Sequence, residues 1–436
     1  MASWREALST YRQPRLLAIL FMGFSSGLPL PLTVGTLSFW LAQSGVSRTA
    51  IGLFALVGIS YNFKFLWSPV IDTLPIPMLT RRLGRRRSWA LVIQVLLALA
   101  ILALGLGDPS RNPMGTALLA VVVAFLSASQ DIVIDAYRIE LLKPEEQGAG
   151  AAATQWGYRF GLIAAGAGAL YAAGFDGWAF SYALMAVLMS VGIITVCLTP
   201  EPDVARTPMQ VSKPGSDRIL IWVREAVVAP LADFLARPLW AEIMLFIVLY
   251  KFGDALAGVM ANPLYVSLHF SAGEVASVSK IFGVLMTLVG LSAGGVIVAR
   301  FGLYPSLLIC GVLQNVSTLM YAALALAGHD VSMLALSIAA ENVTGGMGSA
   351  AFVAYLSRLC NVSFTATQYA LLSSLSAVGR TVLSASGGWL ADRVDWVPFF
   401  ALATVAGLPA LLVLVRLMRR APVPMPAKAA PVTRTA

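Results

Sequence analysis

Residues 114–142 read MGTALLAVVVAFLSASQDIVIDAYRIELL, with no charged side chain before position 131. As a helix the stretch is long enough to cross about 30 Å of hydrocarbon. It then sets Asp131, Asp135 and Arg138 at i, i+4 and i+7, on one helical face. An ionisable group at mid-bilayer costs at least about 2.5 kcal/mol, so that face must turn toward a cavity or a partner. The expectation is a bundle of membrane helices around a polar interior.

Composition agrees. Of 436 residues, 58% are hydrophobic and 12% charged, against about 25% charged in an ordinary soluble domain. Apolar runs recur over 16–43, 50–71, 88–106, 114–142, 151–174 and 178–198, then over 238–268, 271–299, 304–327, 331–357, 364–390 and 396–417. That makes about twelve spans, each helical because lipid offers backbone groups no partner. Uninterrupted apolar runs exclude the dyad pattern of an outer-membrane barrel.

The net charge of +9 does not point to nucleic acid, because the cations fall mostly in alternate connections. One side carries Arg5, Arg12, Arg15, the run from Arg81 to Arg87, Lys143, Arg206, Lys213, Arg218, Arg224, Arg237, Arg300, Arg358 and the tail from Arg416; the other carries Arg48, Arg111 and Arg393. Both termini are therefore expected in the cytoplasm. No small-residue cleavage site follows a short apolar core, so the first span is expected to stay in the chain. Cys197, Cys310 and Cys360 lie in or at the ends of spans and give no disulfide framework.

The longest polar stretch, 199–237, divides the chain into bundles at 1–198 and 238–417, with a tail at 418–436. It reads as a cytoplasmic linker, partly interfacial near Trp222. Thr154-Gln155 and Thr367-Gln368 open the fifth and eleventh spans alike, and Asp176-Gly177-Trp178 echoes Asp395-Trp396. The expected fold is an all-α membrane protein of the major facilitator type, two pseudo-symmetric bundles of about six helices each. The connection 72–87 ends in Leu-Gly-Arg-Arg-Arg and occupies the place of that superfamily's Gly/Asp/Arg-Arg signature. Asp72 and Arg86 are candidate gate residues there, although topogenic charge explains the arginines equally well.

Asp131, the deeper acid of its span, is a candidate for proton coupling or binding; Asp135, Arg138 and Glu140, nearer the cytoplasmic end, are candidates for an inner gate, with an internal Asp135–Arg138 structural pair as the alternative for those two. Gln130 neighbours Asp131, and Gln155, Tyr158 and Arg159 follow on the fifth span, with Gly161, Gly166 and Gly168 suited to close helix packing. In the second half Lys251 and Asp254 stand at i, i+3, able to neutralise each other. Glu341-Asn342 falls mid-span before Val-Thr-Gly-Gly-Met-Gly, making Glu341 the second coupling candidate. Candidate substrate contacts are Gln130, Tyr158, Arg159, Asn342 and Gln368, with Lys64, Lys251 and Arg380 as fixed cations able to hold a carboxylate or to pair with a nearby acid. Ser25-Ser26-Gly27-Leu28-Pro29-Leu30-Pro31 breaks the first span.

No Gly-Lys-Ser/Thr phosphate loop is present, so an ATP-driven pump would need a separate subunit; none is expected. His269 and His329 both fall outside the spans, so no metal, cofactor or catalytic residue is expected. A polytopic transferase, the rival class, would need a catalytic motif near a water interface, and none is found.

Several segments together resemble the AmpG muropeptide permease family: Phe24-Ser-Ser-Gly-Leu-Pro, Phe63-Lys-Phe-Leu-Trp-Ser-Pro, Ser127-Ala-Ser-Gln-Asp-Ile-Val-Ile-Asp-Ala, Glu341-Asn-Val-Thr-Gly-Gly-Met-Gly and Phe364-Thr-Ala-Thr-Gln-Tyr-Ala. The resemblance implies a monomeric, proton-coupled importer of anhydro-muropeptides in the bacterial inner membrane, serving peptidoglycan recycling, with Asp131, Asp135 and Glu341 as the matching acids. Acetyl-CoA and siderophore transporters share the broader pattern and stand as alternatives. The chain departs from some relatives in ending soon after the last span and in its arginine-rich second connection.

Overall fold

The structure, a computed structural model, describes residues 13–46, 57, 59–203, 222–384 and 386–420. The far N-terminus, most of the first half of the expected second span, the middle of the linker and the tail from 421 lie outside the described residues. Within them the chain is helical, with no strand. The first half holds α1 (Pro14–Gly27), α2 (Pro29–Thr33), α3 (Gly35–Gln43), α4 (Ile59–Asn62), α5 (Ser68–Thr73), α6 (Leu79–Leu83), α7 (Arg85–Gly105), α8 (Pro113–Leu141), α9 (Gln147–Ile163), α10 (Ala169–Leu188) and α11 (Ser190–Leu198). After α12 (Ala229–Leu235) the second half holds α13 (Trp240–Leu249), α14 (Phe252–Ser267), α15 (Gly283–Phe301), α16 (Leu303–Ser317), α17 (Leu319–Ala327), α18 (Val331–Leu359), α19 (Thr365–Ser384), α20 (Ser386–Ala391) and α21 (Trp396–Arg420).

Among the described residues, 8 helices are long and apolar enough to cross a membrane. One of these, Pro144–Leu198, has 55 residues and is broken where Gly177 takes φ 78°. Beyond that turn the chain doubles back, since the Ser181 hydroxyl donates to the Ala169 carbonyl at 2.6 Å. The expected boundary between the fifth and sixth spans falls there. Outward faces carry large apolar side chains such as Leu99, Leu118, Val187 and Leu412, the surface a bilayer solvates.

Helix starts follow local chemistry. Asn112 accepts from Gly115 N at 2.9 Å to open α8, and Asp330 accepts from Ser332 N and Met333 N at 2.8 and 3.1 Å to open α18. Glu201, just past α11, accepts from Arg86 N and Arg87 N at 2.8 and 3.0 Å. It thereby ties the sixth span to the start of α7. Trp222 of the linker donates to the Thr73 hydroxyl at 3.0 Å.

Two helix pairs approach backbone to backbone. On α1 and α9, Gly157 lies against Leu20 and Phe24, and Gly161 against Phe24 and Gly27. The expectation of glycine packing thus holds at Gly161, whereas a side chain at Gly166 would meet open space. Valine at Gly157 would be driven into the α1 backbone and should destabilise by about 1–3 kcal/mol. Gly166→Ala is the neutral control; equal melting of the two purified variants would contradict the packing. Polar Glu341-Asn342 and the glycines after it stay inside an unbroken 29-residue α18, where Gly346 admits Thr287 and Leu291 of α15. The halves meet where Ala152 packs with Leu288, Leu291 and Ala350, beside a 2.9 Å bond from the Trp156 indole to the Ser292 hydroxyl.

Candidate functional site

A cavity of about 470 Å³ opens between α9, α14, α15, α18 and α19, lined among others by Arg159, Lys251, Asp254, Glu341, Asn342 and Arg380. It gathers five of the residues expected to bind or couple: Arg159, Lys251, Glu341, Asn342 and Arg380. Its α14 wall is Asp254, Gly258, Ala261, Asn262 and Tyr265, all but Asn262 spaced i, i+4, i+7 and i+11. Ser317 donates to Glu341 Oε2 at 2.8 Å. Lys251 Nζ lies 3.8 Å from Asp254 Oδ2 and donates to Gln314 Oε1 and the Gly345 carbonyl, both at 3.2 Å. Thr287 donates to Asn342 Oδ1 at 2.8 Å, which fixes the amide on the α15 side.

Asp131 sits in the other half, where the Ser26 hydroxyl of α1 donates to its Oδ1. Gln130, next to it, is 0% exposed, and neither of its amide atoms has a hydrogen-bond partner among the described residues. Lys64 does not reach the cavity lining; its ammonium lies 3.8 Å from Asp135. Tyr158 is half-buried on α9, one residue before Arg159, and does not line the cavity either.

Away from the cavity, the arginine-rich end is tied shut across the two halves. Arg86 is 0% exposed and donates to Asp72 Oδ1 at 2.8 Å and to both Glu140 oxygens at 2.6 and 3.1 Å. The other Asp72 oxygen accepts from Thr367 N and Oγ1, both at 3.1 Å, at the N-terminus of α19. An acid there is favoured by the free N–H groups and by the helix dipole. Arg138 donates to Ser357 of α18 at 3.1 Å, lies over the Tyr369 ring at 5.5 Å and stands 3.5 Å from Asp135. Asp72, Arg86, Asp135 and Arg138, expected at a gate, therefore cluster at one end, each in cross-half contact or one bond from it.

Gln368 belongs to a separate network at that end. Its Nε2 donates to Asp233 Oδ2 at 2.8 Å and to the Pro230 carbonyl at 3.0 Å, and its Oε1 accepts from Asn361 N at 2.7 Å. Partial burial pushes the Asp233 carboxyl up, but donors from Gln368, Arg237 and Asn361 outweigh it and hold the group below its ordinary value. A carboxyl lowered on folding stabilises above its unfolded value, about 3.9, and loses that stabilisation as pH falls through the lower folded value. Asp233→Ala should therefore cost about 1–3 kcal/mol at neutral pH, a deficit that shrinks below about pH 4. A melting difference that ignores pH would remove Asp233 as its cause.

Asp254, read from sequence only as the neutraliser of Lys251, turns out to share the cavity with Glu341. The i, i+4, i+7, i+11 line on α14 was the available signal. The donors Ser26 and Ser317 carried no such signal.

The comparisons place these features in a family. Residues 15–112 match the model described as acetyl-coenzyme A transporter 1, and residues 243–435 match the Major Facilitator Superfamily model. The chain is 43% identical to an anhydromuropeptide permease of Escherichia coli K12, over 94% of this chain and 81% of that one. The chain belongs to the AmpG permease family. It is also 34% identical to a putative transporter, AmpG 4, of Rickettsia felis, over 94% of this chain and 98% of that one. Solved structures of the human organic anion transporter MFSD10 (TM-score 0.65, 14% identity, 95% of this chain and 100% of that one) and of the proton:xylose symporter XylE (TM-score 0.63, 13% identity, 93% and 95%) share its fold. This AmpG-family chain thus has the major facilitator fold, and its relatives are named as permeases and transporters, not enzymes.

Proposed function

We propose that the protein imports anhydro-muropeptides together with protons across the bacterial inner membrane, as a monomer with both termini in the cytoplasm. The observation that carries the reading is a cavity holding two acids and three cations, of which Arg159 and Arg380 pair with no acid among the described residues, in a chain 43% identical to a named anhydromuropeptide permease. On this reading the arginine-rich end is cytoplasmic and closed, and the halves rock about the midplane to open it. Arg159 and Arg380 hold the peptide carboxylates of the cargo. Asp131 and Glu341, one acid in each half, take up the protons, since an ionised acid opposes occlusion by at least about 2.5 kcal/mol.

The test is uptake of labelled GlcNAc-anhydroMurNAc-tripeptide into vesicles with and without a proton gradient. Gradient-driven accumulation supports the reading; absence of uptake in vesicles that hold folded protein rejects the cargo. A second reading, an acyl-CoA cargo, is favoured by the match over 15–112 to the acetyl-coenzyme A transporter model. Competition by acetyl-CoA against the labelled muropeptide decides between them.

A further inference from the structure

Asp254 and Glu341 line the same cavity, within side-chain reach of one another. Two ionised carboxylates side by side repel one another, so the pair favours holding one proton between them. Around the pair, Ser317 donates to Glu341 at 2.8 Å and the Lys251 ammonium stands 3.8 Å from Asp254. Gln314, which anchors Lys251 through its Oε1, is 4% exposed. Its Nε2 is buried without an acceptor among the described residues and lies against Gly345, a cavity-lining residue. A buried donor left open beside a polar cavity calls for an oxygen from water or ligand.

The charges in contact are then two carboxyls and one ammonium, neutral with one proton bound and negative without it. Arg159 and Arg380 line the same cavity, and no acid pairs with either among the described residues. The remaining titratable side chains that face it are the phenols of Tyr265 and Tyr321, uncharged at neutral pH.

We propose that the Asp254–Glu341 pair is a single-proton site whose occupancy governs anion binding in the same cavity: the shared proton removes a negative charge from beside Arg159 and Arg380, so proton and anionic cargo bind cooperatively. The cargo half of this rests on the transport reading above; the proton half does not. Coupling is reciprocal, so the cargo tightens proton binding by the factor by which the proton tightens cargo binding, about 5- to 150-fold for a coupling of this kind.

The experiment uses the full chain in lipid nanodiscs. Binding of labelled GlcNAc-anhydroMurNAc-tripeptide should weaken by about 5- to 150-fold as pH rises through neutrality. Asp254→Asn and Glu341→Gln should flatten that profile, and a cargo with amidated carboxylates should flatten it in the wild type. Asp254→Glu, which keeps a titratable carboxyl, should retain the profile and guards against a folding defect. An unchanged profile in Asp254→Asn overturns the proposal. Infrared difference spectra of the cargo-free protein provide the second arm: the protonated-carboxyl band at pH 7 should diminish in both Asp254→Asn and Glu341→Gln. If the wild type binds no muropeptide, the cargo reading fails and this band alone decides the proton site; its persistence in Asp254→Asn sinks the shared proton.

Discussion

Arg86→Met is expected to weaken closure of the arginine-rich end by about 3–5 kcal/mol, because it takes the shared guanidinium away from two buried carboxylates. Asp72 and Glu140 are 1% and 2% exposed at the side chain, so water cannot take over from Arg86. Methionine nearly fills the same volume, so the loss is electrostatic and not a cavity. Asp72 also accepts from Thr367 in the other half, so Arg86, by offsetting the Asp72 charge, supports a contact between the halves. Cys360 is a built-in reporter: it is 5% exposed and packs in one cluster with Ile139 of the first half and Tyr369 of the second. In a Cys197→Ser background, which removes an exposed thiol, Arg86→Met should raise maleimide labelling of Cys360 and lower the melting temperature. Labelling and melting both equal to wild type would show that the Arg86 cluster does not hold this end closed.

Much of the site could be read from the chain because its signal is local. One helical face on α8 carries Asp131, Asp135 and Arg138, and in the structure Asp131 is bonded within its own half while Arg138 reaches Ser357 of the other. The break at Asp176-Gly177 was likewise visible, since glycine there supports the positive φ of the turn. What escaped depends on pairs remote in sequence. Asp254 and Glu341 face one cavity only once α14 and α18 have taken their places around it, and Asp72 finds the N-terminus of α19 only when the two halves close. Gln368 shows the converse failure: its place at the head of a span matched Gln155, yet Asp233 of α12 and Asn361 claim its amide at that end. A single helix reports which side chains share a face but not which neighbour covers it, and at Lys64 the neighbour proved to be Asp135.

Asp131→Asn is expected to lower gradient-driven accumulation of muropeptide by about 50-fold per proton at 100 mV, since each charge crossing that potential contributes about 2.3 kcal/mol. Asparagine preserves the size of the side chain and can still accept from Ser26, so the site keeps its shape while losing its titration. Exchange of labelled for unlabelled cargo needs no net proton movement and should survive. Glu341→Gln tests the other half in the same assay. If one proton visits both acids in turn, the double variant falls no further than either single one. If each half carries its own proton, as the separate settings of Ser26 with Asp131 and Ser317 with Glu341 imply, the two losses multiply. Undiminished accumulation in Asp131→Asn would remove that acid from coupling and leave the Glu341 cavity as the place where the gradient is used.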